Sequence, residues 1–347
     1  SAQDAGTQAN GVNLAMVTPA QSVTEVVVTG ADVPNVDFGF NFDTIVNTNN
    51  AGQGSLRQFI LNSNELANTN LDQEDNPTGV GAGVKNAGDE HSLFMIPSGE
   101  LVATIDGGIG TAMLIQPTSA LQIIIDANTV IDGSTQTAYT GNTNSAVAEM
   151  TTGPEVIIDF QGLNAEGIEI NGYSVTVDSV GITGTGGSGT NAVEIEVSIT
   201  GAIVQNCTLF STYASTIKLE SGAANNQILN NVLRNAGTGS ATADGLAFGG
   251  GNTGNTISGN QIIDSAGYGI DVVTGGGNNS NTITNNLIKG SGASASQLAG
   301  IAFRGGDNNT VSNNTITENA GAGILVINGD TGNRISQNAI FNLSLIH

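Results

Sequence analysis

Large flat side chains are scarce in this chain: tryptophan is absent and aromatics make up 4% of it, so the core must rest on turns and on small or aliphatic residues. Basic residues are also few, with seven Lys and Arg against thirty Asp and Glu and a formal charge of −23. A nucleic-acid binder needs a basic stripe, and anionic membranes would repel such a chain. The acidity suits a strand-rich surface that must stay soluble, with calcium binding as the competing explanation. The one cysteine, Cys207, has no partner for an internal disulfide and reads as a buried structural thiol. No stretch approaches the ~20 apolar residues of a membrane span. The chain starts at Ser1 and shows no signal peptide, so it reads as a processed or excised piece.

What the chain has is recurrence. From residue 165 onward a motif returns: Asn226-Gln-Ile-Leu-Asn-Asn231-Val-Leu233, Asn255-Thr-Ile-Ser-Gly-Asn260-Gln-Ile262, Asn281-Thr-Ile-Thr-Asn-Asn286-Leu-Ile288. Asn309-Thr-Val-Ser-Asn-Asn314-Thr-Ile316 and Asn333-Arg-Ile-Ser-Gln-Asn338-Ala-Ile340 continue it. Two degenerate copies place Asp178 and Asn206 at the position of the second Asn. Positions 178, 206, 231, 260, 286, 314 and 338 are then 24 to 29 residues apart, a period that marks repeat architectures. The other half of each repeat is a short strand whose first and third residues are apolar, as in Ile168-Glu-Ile170, Val193-Glu-Ile-Glu196, Ile217-Lys-Leu-Glu220 and Ile301-Ala-Phe-Arg304. That is the period of a strand with one buried face. Gly-Asn clusters such as 249–255 and 274–279 lie between, where tight bends form easily.

Each repeat therefore reads as strand, turn, strand, turn. Stacked on itself, the unit gives an all-β fold, a right-handed parallel β-helix, at ~4.8 Å per coil. An Asn once per coil at a bend is expected to form an amide ladder. A propeller blade needs more chain than one unit supplies, and the leucine-rich frame is missing.

Residues 1–44 differ from the rest of the chain. Thr24–Thr29 and Val36–Phe42 alternate like two antiparallel strands, either the tail of a sandwich or a ribbon. The second region, 45–347, is expected to be the β-helix. Near 55–67 the sequence predicts an amphipathic capping helix with Ser55 as N-cap and Leu56, Phe59, Ile60 and Ser63 or Ala67 on one face. Residues 68–92 read as a polar loop holding a surface histidine, His91. Irregular coils follow at Leu93–Ile96, Leu101–Ile105, Met113–Ile115, Leu121–Ile125, Val130–Ile131 and Val156–Ile158, with a second loop over Gly133–Gly153. No capping unit is visible near His347, so open strand edges are expected to continue into further chain or to dock on another copy.

The run Phe42-Asp-Thr-Ile-Val-Asn-Thr-Asn-Asn-Ala-Gly-Gln-Gly-Ser-Leu-Arg-Gln-Phe-Ile60, then Ile131-Asp-Gly-Ser-Thr-Gln136, then the Asn-x-Ile-x-x-Asn coils, resembles bacterial secreted or surface proteins with right-handed parallel β-helix repeats. Val36-Asp-Phe-Gly-Phe40 is similar to the last strand of a Cna-B-like sandwich module. The resemblance implies an adhesin-like protein, secreted or on the cell surface, and carries no catalytic residues with it.

Alternation also predicts which residues point outward. One column is Glu169, Glu194, Lys218, Ala247, Asp271, Ala302, Leu325, and its neighbour is Asn171, Glu196, Glu220, Gly249, Val273, Arg304, Ile327. Glu169, Glu194, Glu196 and Glu220 should form a patch with Lys218 inside it. Such carboxylates raise one another's pKa, pair with the lysine, or share a cation such as calcium. Paired carboxylates are also what glycoside hydrolysis requires, making Glu194, Glu196, Lys218 and Glu220 the catalytic candidates of a polysaccharide lyase or glycoside hydrolase. Against catalysis, no aromatic flanks the patch and Lys218, Arg234, Lys289, Arg304 and Arg334 are scattered. The reading preferred from sequence is a non-enzymatic structural or adhesive solenoid that assembles end to end or continues into neighbouring domains. A calcium-stabilised glycan-binding module is the third reading.

Overall fold

The computed structural model describes residues 43–66, 68, 88–105, 110–144, 153–273, 277–292, 299–327 and 331–342. The strands expected before Phe42 lie outside that set, as do most of the loop after residue 68 and the last five residues. A division of the chain falls between Phe42 and Asp43.

From Ile168 onward the chain winds as a parallel solenoid of about seven coils. Each coil contributes one short strand to each of three sheets, three residues long in all but Gly181–Gly186, as at Ile217–Leu219, Gln227–Leu229 and Val232–Arg234. Three strands per coil correct the two-strand repeat. The reason is in the motif. Its inward residues, such as Ile228 and Leu233, are an odd number of positions apart, and a single strand would send them to opposite faces. The chain must bend between them, and it does so at Asn230, which has φ 55°. The equivalent corner residues Asn285 and Asn313 have φ 58°. Asn adopts this left-handed conformation more readily than most residues.

The corners bury amides. Asn231 N–H donates to Asn260 Oδ1, Asn260 N–H to Asn286, Asn286 N–H to Asn314 (each 2.9 Å), and Asn314 N–H to Asn338 at 3.0 Å. A parallel file, not foreseen, joins Asn226, Asn255, Asn281, Asn309 and Asn333 at 2.8–2.9 Å. Asp178 and Asn206 do not stand in the first file, contrary to their assignment from sequence. Gln205 pairs with Leu229 and with Asp178, so Cys207 and Val180 occupy the amide position, while Asn206 is a corner residue at φ 54°. Cys207 N–H donates to Asn231 Oδ1 at 2.9 Å, and burial pushes its thiol up to about 12.

Inside, aliphatic columns such as Val177, Val204, Ile228, Ile257, Ile283 and Val311 join one continuous core. Each side chain so buried contributes roughly 1.5–3 kcal/mol.

Helix α1 (Leu56–Glu65) forms as expected, with Ser55 accepting the Gln58 N–H and Leu56, Phe59, Ile60 and Ser63 buried. Arg57, also buried, donates to the carbonyls of Ser119 at 2.7 Å and Asn50 at 2.9 Å. The Gly133–Gly153 loop instead begins with helix α2 (Ser134–Thr140). Asp132 Oδ1 accepts the Ser134 N–H at 3.0 Å. Gln136 meets both backbone groups of Ile96 (2.8 and 2.9 Å), and Thr135 takes the Phe94 N–H at 2.8 Å. Side chains thus stand in for a neighbouring strand. Leu101–Ile105 and Gly110–Ile115 pair antiparallel and are not successive coils. Of Leu121–Ile125, Ile124 alone bridges to a neighbouring strand, at Ile170. His91, read as a surface loop residue, is buried in strand Glu90–His91, which pairs with Thr129–Val130.

Replacing Asn260 with Leu leaves the buried Asn231 N–H and the Ile228 carbonyl without their side-chain partners. The expected loss is ~1–3 kcal/mol for each stranded group, read as a lower urea midpoint. Thr256→Ala, at an outward position, should stay within ~0.5 kcal/mol.

Candidate functional site

The seven-stranded sheet presents an outward face in the order read from the sequence. Glu169 pairs with Glu194, Glu194 with Lys218, Lys218 with Ala247, and onward through Asp271 and Ala302 to Leu325. The apolar ends of these three-residue strands face the core, so the central side chain must face out, because successive side chains alternate.

Lys218 stands among the carboxylates. Its Nζ lies 3.2 Å from Glu194 Oε1 and is also paired with Glu220. The lysine thus supplies positive charge where a cation was the alternative. Among the described residues no group of three or more His, Cys, Asp or Glu side chains has the arrangement of a metal site.

Burial sets the electrostatics. It raises Glu169 to about 7, aided by Glu196 and Glu194. It raises Glu194 as well, with Glu220 adding to the effect and Lys218 opposing it. Glu220 is partly buried too, yet Lys218 holds it below the ordinary carboxylate value. The two acids raise Lys218 in return, against its own burial. Burial and neighbouring acids thus favour the protonated forms of Glu169 and Glu194, while Lys218 favours the ionised form of Glu220 beside them.

Sequence reasoning missed Glu166, which burial raises to about 8 against the Asn191 N–H bond that favours its ionised form. Its role is legible only in three dimensions. Two residues before each of the first four strands of this sheet, a side-chain oxygen accepts the backbone N–H of the next coil. Asn191 N–H donates to Glu166 Oε2 at 2.5 Å and Ser215 N–H to Asn191 Oδ1 at 3.1 Å. Asp244 N–H donates to Ser215 Oγ at 3.2 Å and Tyr268 N–H to Asp244 Oδ1 at 2.7 Å. The residue types differ at every step, so no repeat in the sequence announces this file.

A second cluster lies further along the same face. Arg304 forks onto Asp271, with Nε 2.9 Å from Oδ1 and Nη2 on Oδ2. Its guanidinium carbon is 5.4 Å from the centre of the Tyr268 ring, within cation–π range. Burial pushes Asp244 well above the ordinary range, with Asp271 adding to it. Arg304 counted as one of several scattered cations in the sequence; the fold commits it to Asp271.

A separate buried carboxyl, Glu90, lies in the strand beside α1's end of the molecule. Burial raises it to about 8, with Asp43 and then Asp126 contributing. None of the residues expected on the outward face touches it.

The right-handed β-helix region family matches residues 166–340, half of the chain. Solved structures also match at low identity. The periplasmic alginate epimerase AlgG is 13% identical, with 66% of this chain and 60% of that one covered and a TM-score of 0.40. The Azotobacter vinelandii mannuronan C-5 epimerase AlgE6 A-module is 13% identical, with 68% and 86% covered and a TM-score of 0.34. PfbA, a surface adhesin of Streptococcus pneumoniae, is 15% identical, with 72% and 76% covered and a TM-score of 0.35. The chain thus spans about three fifths of AlgG's length. No helix among the described residues is long and apolar enough to cross a membrane.

Raised carboxyl pKa values fix the sign of the pH dependence. Glu166 and Glu169 bind protons more tightly folded than unfolded, so stability is highest below the ordinary value of 4.5 and declines as pH rises toward about 7 and 8. The urea midpoint should fall between pH 5 and pH 8. The Glu166→Gln/Glu169→Gln double variant should show a shallower fall, the remainder belonging to groups such as Glu90. Equal slopes in the two proteins would contradict the assignment.

Proposed function

The chain belongs to the right-handed β-helix family, and from that premise we propose that it is a non-enzymatic structural and adhesive solenoid module. It works outside a bacterial cell or on its surface, as a stalk or filament unit assembling end to end or running on into neighbouring domains. The observation that carries this reading is the unbroken coil-to-coil hydrogen bonding, in which both amide files reach the last described coil at Asn333 and Asn338. In that coil Ile335 and Ile340, whose counterparts in earlier coils are buried, are 44% and 43% exposed. Another coil laid on this surface would prolong the strands, the amide files and the aliphatic columns together. A charge of −23 keeps the sides of such rods apart and leaves their ends as the place to join.

The acidic face supports a second reading, a carbohydrate-active enzyme. Glu169 and Glu194, both raised, stand beside the ionised Glu220–Lys218 pair, an acid and a base within one patch. Glu194, Glu196, Lys218 and Glu220 would carry it.

Two measurements separate these readings. Light scattering over a concentration series, with electron microscopy, should find end-to-end assemblies that Ile340→Lys abolishes; a single monomeric species at every concentration would remove the assembly claim. Incubation with neutral and acidic polysaccharides should release no unsaturated or reducing-end product. Product that disappears in Glu194→Gln would establish the enzyme instead.

A further inference from the structure

One deeply buried acid takes no part in the outward face. Glu90 is 2% exposed, and neither of its carboxyl oxygens meets a hydrogen-bond donor. An ionised carboxylate sealed off in this way is costly, and such a group neutralises itself instead. Its acidic neighbours act in the same direction. Burial first, then Asp43 and Asp126, favour the protonated form and raise Glu90 to about 8. Two facing carboxyls can hydrogen-bond only through a proton of their own. No lysine or arginine among the described residues pairs with Glu90. Arg57, the cation of α1, is turned to the carbonyls of Ser119 and Asn50. His91, next in the strand, points to its other side and lies 4.0 Å from Asp89 Oδ2.

The cluster sits where α1 is fastened to the solenoid. Strand Glu90–His91 pairs with Thr129–Val130, which sets Thr129 beside Glu90. Thr129 Oγ1 is 2.6 Å from Ser63 Oγ of α1 and donates to the Asp126 carbonyl at 3.2 Å. Asn64 accepts the Ile125 N–H at 2.9 Å and donates to the Ile123 carbonyl at 2.7 Å. Asn68 donates to Asp126 Oδ2 at 3.1 Å and to the Ala127 carbonyl at 2.9 Å. Asp43 enters from the neighbouring strand, its carbonyl accepting the Leu93 N–H at 2.8 Å. Water reaches Glu90 only by parting some of these contacts. Beneath them Leu56, Phe59 and Ile60 close the core with Ile45 and Phe94.

From this cluster we infer that Glu90 is a proton-operated latch for the end of the solenoid that α1 covers. A neutral Glu90 lets α1 and residues 123–129 close over the first strand, and ionisation opposite Asp43 and Asp126 loosens that closure. The sign follows from the raised carboxyl: its contribution is complete below the ordinary value of 4.5 and is lost as pH rises through about 8. The latch concerns the covered end and does not depend on what the open end joins.

The test is hydrogen exchange of the intact chain, read by mass spectrometry at pH 6 and pH 9. Wild type and Glu90→Gln, whose amide stands for the neutral acid, are compared at the same pH so that intrinsic exchange cancels. At pH 6 the two should protect α1 alike. At pH 9 peptides over Leu56–Glu65 and Glu90–Leu93 should exchange at least fivefold faster in the wild type, while those from Asn226 to Val272 exchange equally. Should Glu90→Gln fail to fold, Asp43→Asn serves as the second variant, with slower exchange of α1 than in the wild type expected at pH 9. Equal exchange of α1 at pH 9, or a difference spread evenly into the later coils, would overturn the latch. So would protection at pH 9 that millimolar calcium restores in the wild type alone, since the cluster would then take a metal ion in place of a proton.

Discussion

Each corner of the solenoid turns the chain away from its sheet and leaves backbone groups that no strand neighbour can satisfy. The fold depends on meeting that debt once per coil, in a place where water does not reach. Asn is suited to the task because one side chain both accepts and donates. Asn260 Oδ1 takes the Asn231 N–H while its own amide nitrogen donates to the Ile228 carbonyl at 2.8 Å. A buried polar group without such a partner costs as much as several buried methylenes return. The aliphatic columns can therefore form only where the amide files hold the corners in register.

The same register makes the chemistry of the outward face. Stacking in-register strands places like side chains ~4.8 Å apart whether or not they attract. Four glutamates from neighbouring coils are thereby forced together; burial and repulsion raise Glu169 and Glu194, while Lys218, enclosed by Glu194 and Glu220, holds Glu220 low. Further along, Asp271 finds Arg304 and the Tyr268 ring. Between the two clusters the bare coil of Ala247 and Gly249 is as much a consequence of register as the clusters are.

Much of this was legible beforehand, and the failures have physical causes. The outward columns could be read because alternation in a three-residue strand admits one solution. Helix α1 could be read because Ser55 and the Leu56, Phe59, Ile60 spacing are local signals. The third strand per coil was missed because its corner, Asn230, looks like a strand residue until the parity of Ile228 and Leu233 is considered. Asn206 was misplaced because residue identity was followed where pairing decides; Gln205 opposite Leu229 sets it at the corner. Helix α2 was hidden because its anchoring is nonlocal: Thr135 and Gln136 bond to Phe94 and Ile96, about forty residues earlier. Glu166 and Asp244 escaped notice because the file that uses them changes residue type at every coil.

That last contrast bears on how such a solenoid can evolve. The amide files point each backbone N–H toward the following coil, and every link from Asn231 to Asn338 is chemically alike, so one such coil could be duplicated or deleted without creating a mismatch at that edge. The Glu166–Asn191–Ser215–Asp244–Tyr268 file runs the opposite way, toward the preceding coil, and no two of its links are alike. One edge of the molecule is thus indifferent to the number of windings, while the other works as a serial code that fixes their sequence, and with it the distance between the two polar clusters.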